Sequence, residues 1–201
     1  VVRNPVVTPR LAELAAAPCP HPWLVSSAVP VILGAGRLTE QKDFATLLRA
    51  FARLQAIRPV HLVILGKGRL RGQLERLADE LGVGDRVALP GFMTNPYAWM
   101  ARAALFVLSS AWEGSPNVLT EALALGVPSV ATDCPSGPRE LLAGGRYGAL
   151  VAVGDHVGLA EAMLATLEAP LPAGQLRQAV SDYTAEAAAL GYLGALGLAA
   201  S

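Results

Sequence analysis

Residues 31–66 read VILGAGRLTEQKDFATLLRAFARLQAIRPVHLVILG, and they decide the fold. Val31–Gly34 is a short, continuous apolar run ending in glycine, the mark of a strand covered on both faces. After a polar loop comes DFATLLRAFARLQAI, where Asp43 is placed to cap and Phe44, Leu47, Leu48, Phe51 and Leu54 share one helical face. His61–Gly66 (HLVILG) is a second buried strand. Strand, amphipathic helix and strand in roughly 35 residues make a parallel βαβ unit.

The alternation continues along the chain. Helix 70–82 precedes strand Val87–Gly91, and a short helix around Tyr97–Ala101 precedes strand Ala104–Ser109. Helix Val118–Leu125, strand Pro128–Thr132, a helix near Arg139–Leu142, strand Ala149–Val153 and helix His156–Leu167 follow. A last helical stretch runs from about Gln175 to Leu196. The pattern predicts a doubly wound, Rossmann-like α/β domain with a parallel sheet of about six strands. Unequal unit lengths exclude a solenoid repeat. Upstream, Pro5, Pro9, Pro18, Pro20, Pro22 and Pro30 predict an extended lead-in, with two helical turns at Arg10–Ala17. The organisation is thus a hinge or linker at 1–30, the Rossmann-like domain at 31–170 and a C-terminal helical segment at 171–201.

Composition bounds the function. The 201 residues hold 16 Lys+Arg and 16 Asp+Glu, a formal net charge of zero, which argues against a nucleic-acid partner. With 53% hydrophobic residues the chain is too apolar for disorder and long enough to bury a core unaided. Cys19 and Cys134 stand far apart in no metal-binding spacing, which fits a reducing compartment. The most apolar stretch, Ala187–Ala200, is too short to span a bilayer and reads as a helix face packing on another domain. No signal-peptide pattern is visible, so the expected location is cytoplasmic.

In such a sheet, ligands lie beyond the carboxyl ends of the strands. The first post-strand loop, Gly34–Lys42, carries Gly36, Arg37 and Lys42: two cations that suit a diphosphate, or else a solvated turn. The second, Gly66-Lys67-Gly68-Arg69-Leu70-Arg71-Gly72, departs from the dinucleotide fingerprint, and the next strand lacks the acidic residue a ribose needs; NAD is disfavoured. The fourth, Ser109–Glu121, is the most informative. Pro116 suits a first helical turn and Asn117 a cap, with free N–H groups near Asn117, Val118 and Leu119 aimed at an anion. Glu113 and Glu121 flank that helix start and either accept sugar or ribose hydroxyls or serve as ordinary helix carboxylates. The fifth, Asp133–Glu140, is a stiff loop that brings Arg139 or Glu140 toward the same cleft, or merely caps a helix.

Together these loops resemble the C-terminal, donor-binding domain of the retaining GT-B glycosyltransferases of family 4, or group 1. The matching pieces are Gly36-Arg37-Leu38 with Lys42, Gly66-Lys67-Gly68, Val87–Gly91, Glu113-x7-Glu121, Glu121–Pro128 and Cys134–Glu140. Val1–Pro5 (VVRNP) is similar to the hinge after that family's first domain. The resemblance implies that Arg37 and Lys42 bind the donor diphosphate and stabilise the leaving phosphate. It implies that Glu113 contacts hydroxyls of the transferred sugar, not as a nucleophile, and that Glu121 holds the ribose. Gly36 and Asn117 belong to the same site, Gly114, Ser115 and Pro116 line the sugar, and Val118 and Leu119 meet the diphosphate. The base is expected near Phe92 and Met93.

The implied donor is a nucleotide sugar, UDP-linked ahead of GDP-linked, with no metal and no separate cofactor. The implied reaction transfers a hexose or N-acetylhexosamine to a glycan or lipid-linked acceptor in surface polysaccharide biosynthesis. A stand-alone nucleotide-sugar-binding module without turnover is the second reading. Two departures stand out. Ser115 replaces a frequent aromatic, and the family's acceptor-binding N-terminal domain is missing, so this chain alone is expected to be inactive. Any peripheral membrane contact would come through that domain. His21, His61 and His156 read as structural or solvent-exposed, and no hydrolase, zinc-protease or P-loop motif is present.

Overall fold

A computed structural model of the chain describes residues 3–25 and 28–197. Its elements run α1 (Pro9–Ala16), α2 (Pro22–Val25), β1 (Val31–Ala35), α3 (Phe44–Gln55), β2 (His61–Leu65), α4 (Arg71–Glu80), β3 (Val87–Gly91) and α5 (Tyr97–Met100). Then follow β4 (Leu105–Leu108), α6 (Asn117–Ala124), β5 (Ser129–Thr132), α7 (Pro138–Leu141), β6 (Ala149–Val151), α8 (His156–Glu168), α9 (Ala173–Gln178) and α10 (Ala185–Ala195). All six strands are parallel, in the order β3-β2-β1-β4-β5-β6. This is the doubly wound arrangement expected from the sequence.

The continuous apolar runs are explained by two buried faces. Val31, Leu33, Val63, Leu65, Phe106 and Leu108 join one core with α5, α6 and α9, whereas Ile32, Leu62, Ile64, Leu105 and Val107 join another with α3, α4 and α8. Period-two alternation therefore divides each strand between two apolar layers. Asp43 caps α3 as predicted: its carboxylate accepts from the Thr46 N–H at 3.3 Å and the Thr46 hydroxyl at 2.7 Å.

Two segments depart from expectation. The lead-in folds onto the domain: α1 is the pair of turns expected at Arg10–Ala17, α2 is an unexpected addition, both begin with proline, which the first helical turn tolerates, and Leu11, Ala15, Cys19 and Leu24 are buried. The last stretch is two helices, not one. Residues 179–184 interrupt it, because Tyr183 turns inward, its carbonyl accepts from the Val7 N–H at 2.8 Å, and the Thr184 hydroxyl caps α10. On α10 Leu190, Tyr192 and Leu193 are exposed, as is Leu196 just past its end. The rest of the predicted apolar face, Leu198–Ala200, and Val1–Val2 of the hinge-like segment lie outside the described residues. Among the described residues no helix is long and apolar enough to cross a membrane.

At the amino end of the sheet, Trp23 from the lead-in stacks on His61 with centroids 4.1 Å apart, and His21 packs edge-on to Trp23. Both histidines keep a buried Nδ1 that makes no hydrogen bond. Burial pushes both imidazoles below their usual range, helped at His61 by the Arg86 charge. The fold therefore resists their protonation at pH values where the unfolded chain already takes up the protons, below about pH 6.5. Stability should be fully present above that pH and decline as the pH falls from about 7 to 5. In His61→Phe the urea midpoint should depend less steeply on pH over that window; an unchanged slope would refute the assignment.

Candidate active site

The chain leaves β1 for β2 and β3 on one side and returns to β4 on the other, so the carboxyl ends of β1 and β4 diverge. This topological switch point opens a cleft of about 460 Å³. Its wall includes Gly36, Arg37, Lys42, Phe92, Met93, Glu113, Ser115, Pro116, Asn117 and Val118, ten of the residues predicted for the site. Leu119 is fully buried in the core, exposed Gly114 is not on the wall, and Glu121 turns toward α5.

The two loops that face each other across the switch point are tied together. The Lys42 ammonium is hydrogen-bonded to Glu113 Oε1, with 13% and 5% of the two side chains exposed. The Ser110 hydroxyl donates to the same oxygen at 2.6 Å, and the Ser109 hydroxyl donates to the Lys42 carbonyl at 2.8 Å. Gln41 adds two links, accepting from the Ala111 N–H at 2.8 Å and donating to the Trp112 carbonyl at 3.1 Å. Its side-chain oxygen accepts from Arg37 at 3.3 Å.

Close backbone approach explains the second glycine pair. A Cβ on Gly66, where φ is +138°, would fall 1.8 Å from the Gly36 carbonyl oxygen, and one on Gly68 2.3 Å from that of Leu38. These glycines press the β2 loop against the β1 loop and make no dinucleotide fingerprint. Lys67, between them, joins Arg37 and Lys42 on the wall. Sequence reasoning quoted this lysine but gave it no role, although its place just after a strand was a usable signal.

The start of α6 differs from the predicted cap. Pro116 stands at the N-cap and Asn117 is the first helical residue. The Asn117 side-chain oxygen accepts instead from Asn4 at 3.0 Å and from Ser115 at 3.2 Å. Of the three N–H groups expected to be free, that of Asn117 binds the Ser115 carbonyl and that of Leu119 the Pro116 carbonyl. These internal bonds tighten the first turn, and among the described residues the Val118 N–H has no backbone acceptor. Arg139 pairs with Asp133 and Glu140 with Arg3, so neither reaches the cleft wall. Gly137 of that loop, with φ +106°, lies where a Cβ would come 2.4 Å from Pro116 Cδ, so the loop buttresses the start of α6.

Glu121 accepts a hydrogen bond from the Tyr97 hydroxyl at 3.1 Å. Burial raises its carboxyl above the usual range, partly opposed by that bond, and burial with the Glu121 charge raises the Tyr97 phenol. Tyr97 is a second residue that the sequence reading passed over.

Comparison with known proteins agrees with the fold. The family described as "Glycosyl transferases group 1" matches residues 29–169. The N-acetylgalactosamine-N,N'-diacetylbacillosaminyl-diphospho-undecaprenol 4-alpha-N-acetylgalactosaminyltransferase of Campylobacter jejuni is 42% identical over 137 residues, 68% of this chain and 37% of that protein. The lipopolysaccharide outer core galactosyltransferase WaaB superposes with a TM-score of 0.80 at 24% identity, over 98% of this chain and 55% of that one. Anabaena HepE, solved with UDP, gives 0.75 at 22% identity, over 95% and 53%. The chain spans about a third of the length of the curated relatives it matches.

Two outcomes are expected. Lys42→Met strands Glu113 in the interior and should cost about 3–5 kcal/mol in denaturant unfolding, whereas Lys42→Met with Glu113→Leu should recover most of it. An acid raised in the fold destabilises the native state once ionised. Glu121→Gln should therefore unfold at higher denaturant than the parent at pH 7, and the difference should shrink as the pH falls and vanish at about 4.3, where the unfolded carboxyl also protonates.

Proposed function

The chain belongs to the group 1 glycosyl transferases, and on that premise we propose that it is the donor-binding half of a retaining hexosyltransferase. The observation that carries this reading is the cleft at the switch point, where Arg37, Lys42 and Lys67 face the Glu113 carboxylate and the start of α6. The ligand is a nucleotide diphosphate sugar, UDP-linked ahead of GDP-linked. UDP is the nucleotide held by one solved protein of the same fold. Glycan or lipid-linked acceptors in surface polysaccharide biosynthesis are the class suggested by the undecaprenol-linked substrate in the name of the Campylobacter relative.

In this reading, the base lies by Phe92 and Met93 and the diphosphate by Arg37, Lys42 and the Val118 N–H. The sugar lies by Glu113, Gly114, Ser115 and Pro116, while Glu121 holds the ribose from just beyond the wall. As the glycosidic C–O bond breaks, negative charge grows on the departing phosphate, and the cations are already in place to stabilise it. The acceptor hydroxyl attacks from the same face, and its proton goes to the departing phosphate. A carboxylate neutralised by Lys42 and Ser110 is a poor nucleophile, which favours Glu113 as a hydroxyl acceptor over a covalent role. The cations take the charge that a divalent metal would otherwise carry, so no metal is needed. In this reading the acceptor site belongs to a second domain. The cytoplasm is the compartment proposed, where buried free Cys19 and Cys134 stay reduced.

Calorimetry with UDP, a UDP-sugar, GDP and NAD tests the reading. Uridine or guanosine diphosphates should bind and NAD should not. Binding of NAD alone would sink it. Arg37→Ala should weaken UDP by about tenfold or more and leave uridine nearly unchanged, the cost of one charge-assisted phosphate contact.

A further inference from the structure

The strand order β3-β2-β1-β4 also orders the cleft wall. Phe92 and Met93 follow β3, Gly66 and Lys67 follow β2, Gly36, Arg37 and Lys42 follow β1, and Glu113, Ser115 and Pro116 follow β4. A ligand stretched from the β3 side to the β4 side passes Lys67 before it reaches Arg37 and Lys42. The inference rests on the proposed reading, with the base at Phe92 and Met93 and the sugar at Glu113. The phosphate next to the nucleoside then falls beside Lys67, and the phosphate next to the sugar beside Arg37 and Lys42.

Charge points the same way. Lys42 is neutralised by Glu113, whereas among the described residues the Lys67 ammonium has the Phe92 ring for a partner, 5.6 Å from its centroid, and no carboxylate. The charged residues of the wall are Arg37, Lys42, Lys67 and Glu113, which leaves two uncompensated cations. A sugar-linked diphosphate has one negative charge on each phosphate, so Arg37 and Lys67 can each answer one. Without Lys67 a single net cation would face both.

The root of Lys67 is also fixed. Its carbonyl accepts from the Leu38 N–H at 3.0 Å, and Gly66 and Gly68 on either side lie against the β1 backbone. A long side chain on a fixed root, resting on an exposed phenyl ring, moves to a phosphate at small cost. We propose that Lys67 binds the nucleoside-proximal phosphate of the donor, the partner of Arg37 at the sugar-proximal one.

Titration of uridine, UMP and UDP into the parent chain, Lys67→Met, Lys67→Arg and Arg37→Met tests this. Lys67→Met should weaken UMP and UDP alike by about tenfold or more and leave uridine within about twofold, because only a phosphate contact is lost. Arg37→Met should weaken UDP more than UMP, and Lys67→Arg should keep both. If the parent binds UMP and Lys67→Met binds UMP and UDP equally well, the assignment is overturned. Equal loss of uridine would also overturn it, since Lys67 would then act on the base. A parent chain that binds none of the three ligands would instead refute the nucleotide-sugar reading, and this inference with it.

Discussion

The ion pair between Lys42 and Glu113 ties together the two loops that part at the switch point of the sheet. A doubly wound sheet has no crossover helix over its switch point, so the loops after β1 and β4 leave in opposite directions. Here they are joined through one nearly buried salt bridge, reinforced by Ser109, Ser110 and Gln41. A pair so far from water gains little net stability, because desolvation offsets most of its attraction. What it gains is position. A lysine and a glutamate are fixed at one point of the cleft wall, each satisfied before any ligand arrives.

That arrangement sets how the neighbouring cations behave. Were Lys42 unpaired, Arg37, Lys42 and Lys67 would repel one another across a small cleft. With Glu113 inserted, one charge is cancelled and the other two lie on separate loops, held by Gln41 and by the Phe92 ring. The glycines at 36, 66 and 68 serve the same end, since any side chain on Gly66 or Gly68 would force the β1 and β2 loops apart. The site is thus preorganised by backbone contact and by one internal charge pair.

Most of the fold was legible because it is written in periodicity. Buried strands such as Ile32–Leu33 and Leu62–Ile64 need apolar side chains on both faces, and α3 needs its stripe behind Asp43. The break between α9 and α10 was not legible: helix-favouring residues lie on both sides, and what ends the helix is a tertiary bond from Val7 to Tyr183. In the lead-in the two turns expected at Arg10–Ala17 form as α1, but Pro22 misled, since at a first helical turn it starts α2 where an extended segment was expected. In the site, loop residues found from strand ends came together, whereas the role of Asn117 depended on Asn4, 113 positions away. Spacing along the chain cannot reveal that contact.

Glu121 shows how the same helix serves both core and cleft. It lies one turn into α6, between Leu119, Ala122 and Leu123, which face the core, and the cleft-lining Asn117 and Val118. A carboxylate there loses water, and its pKa rises accordingly, so it is tolerated only because the Tyr97 hydroxyl donates to it. A half-desolvated acceptor gains more from a ribose hydroxyl than a hydrated one does, since less water must be displaced. The raised pKa of Glu121 and its readiness to accept a hydroxyl hydrogen bond therefore have one cause, its place at the boundary between the apolar core and the cleft.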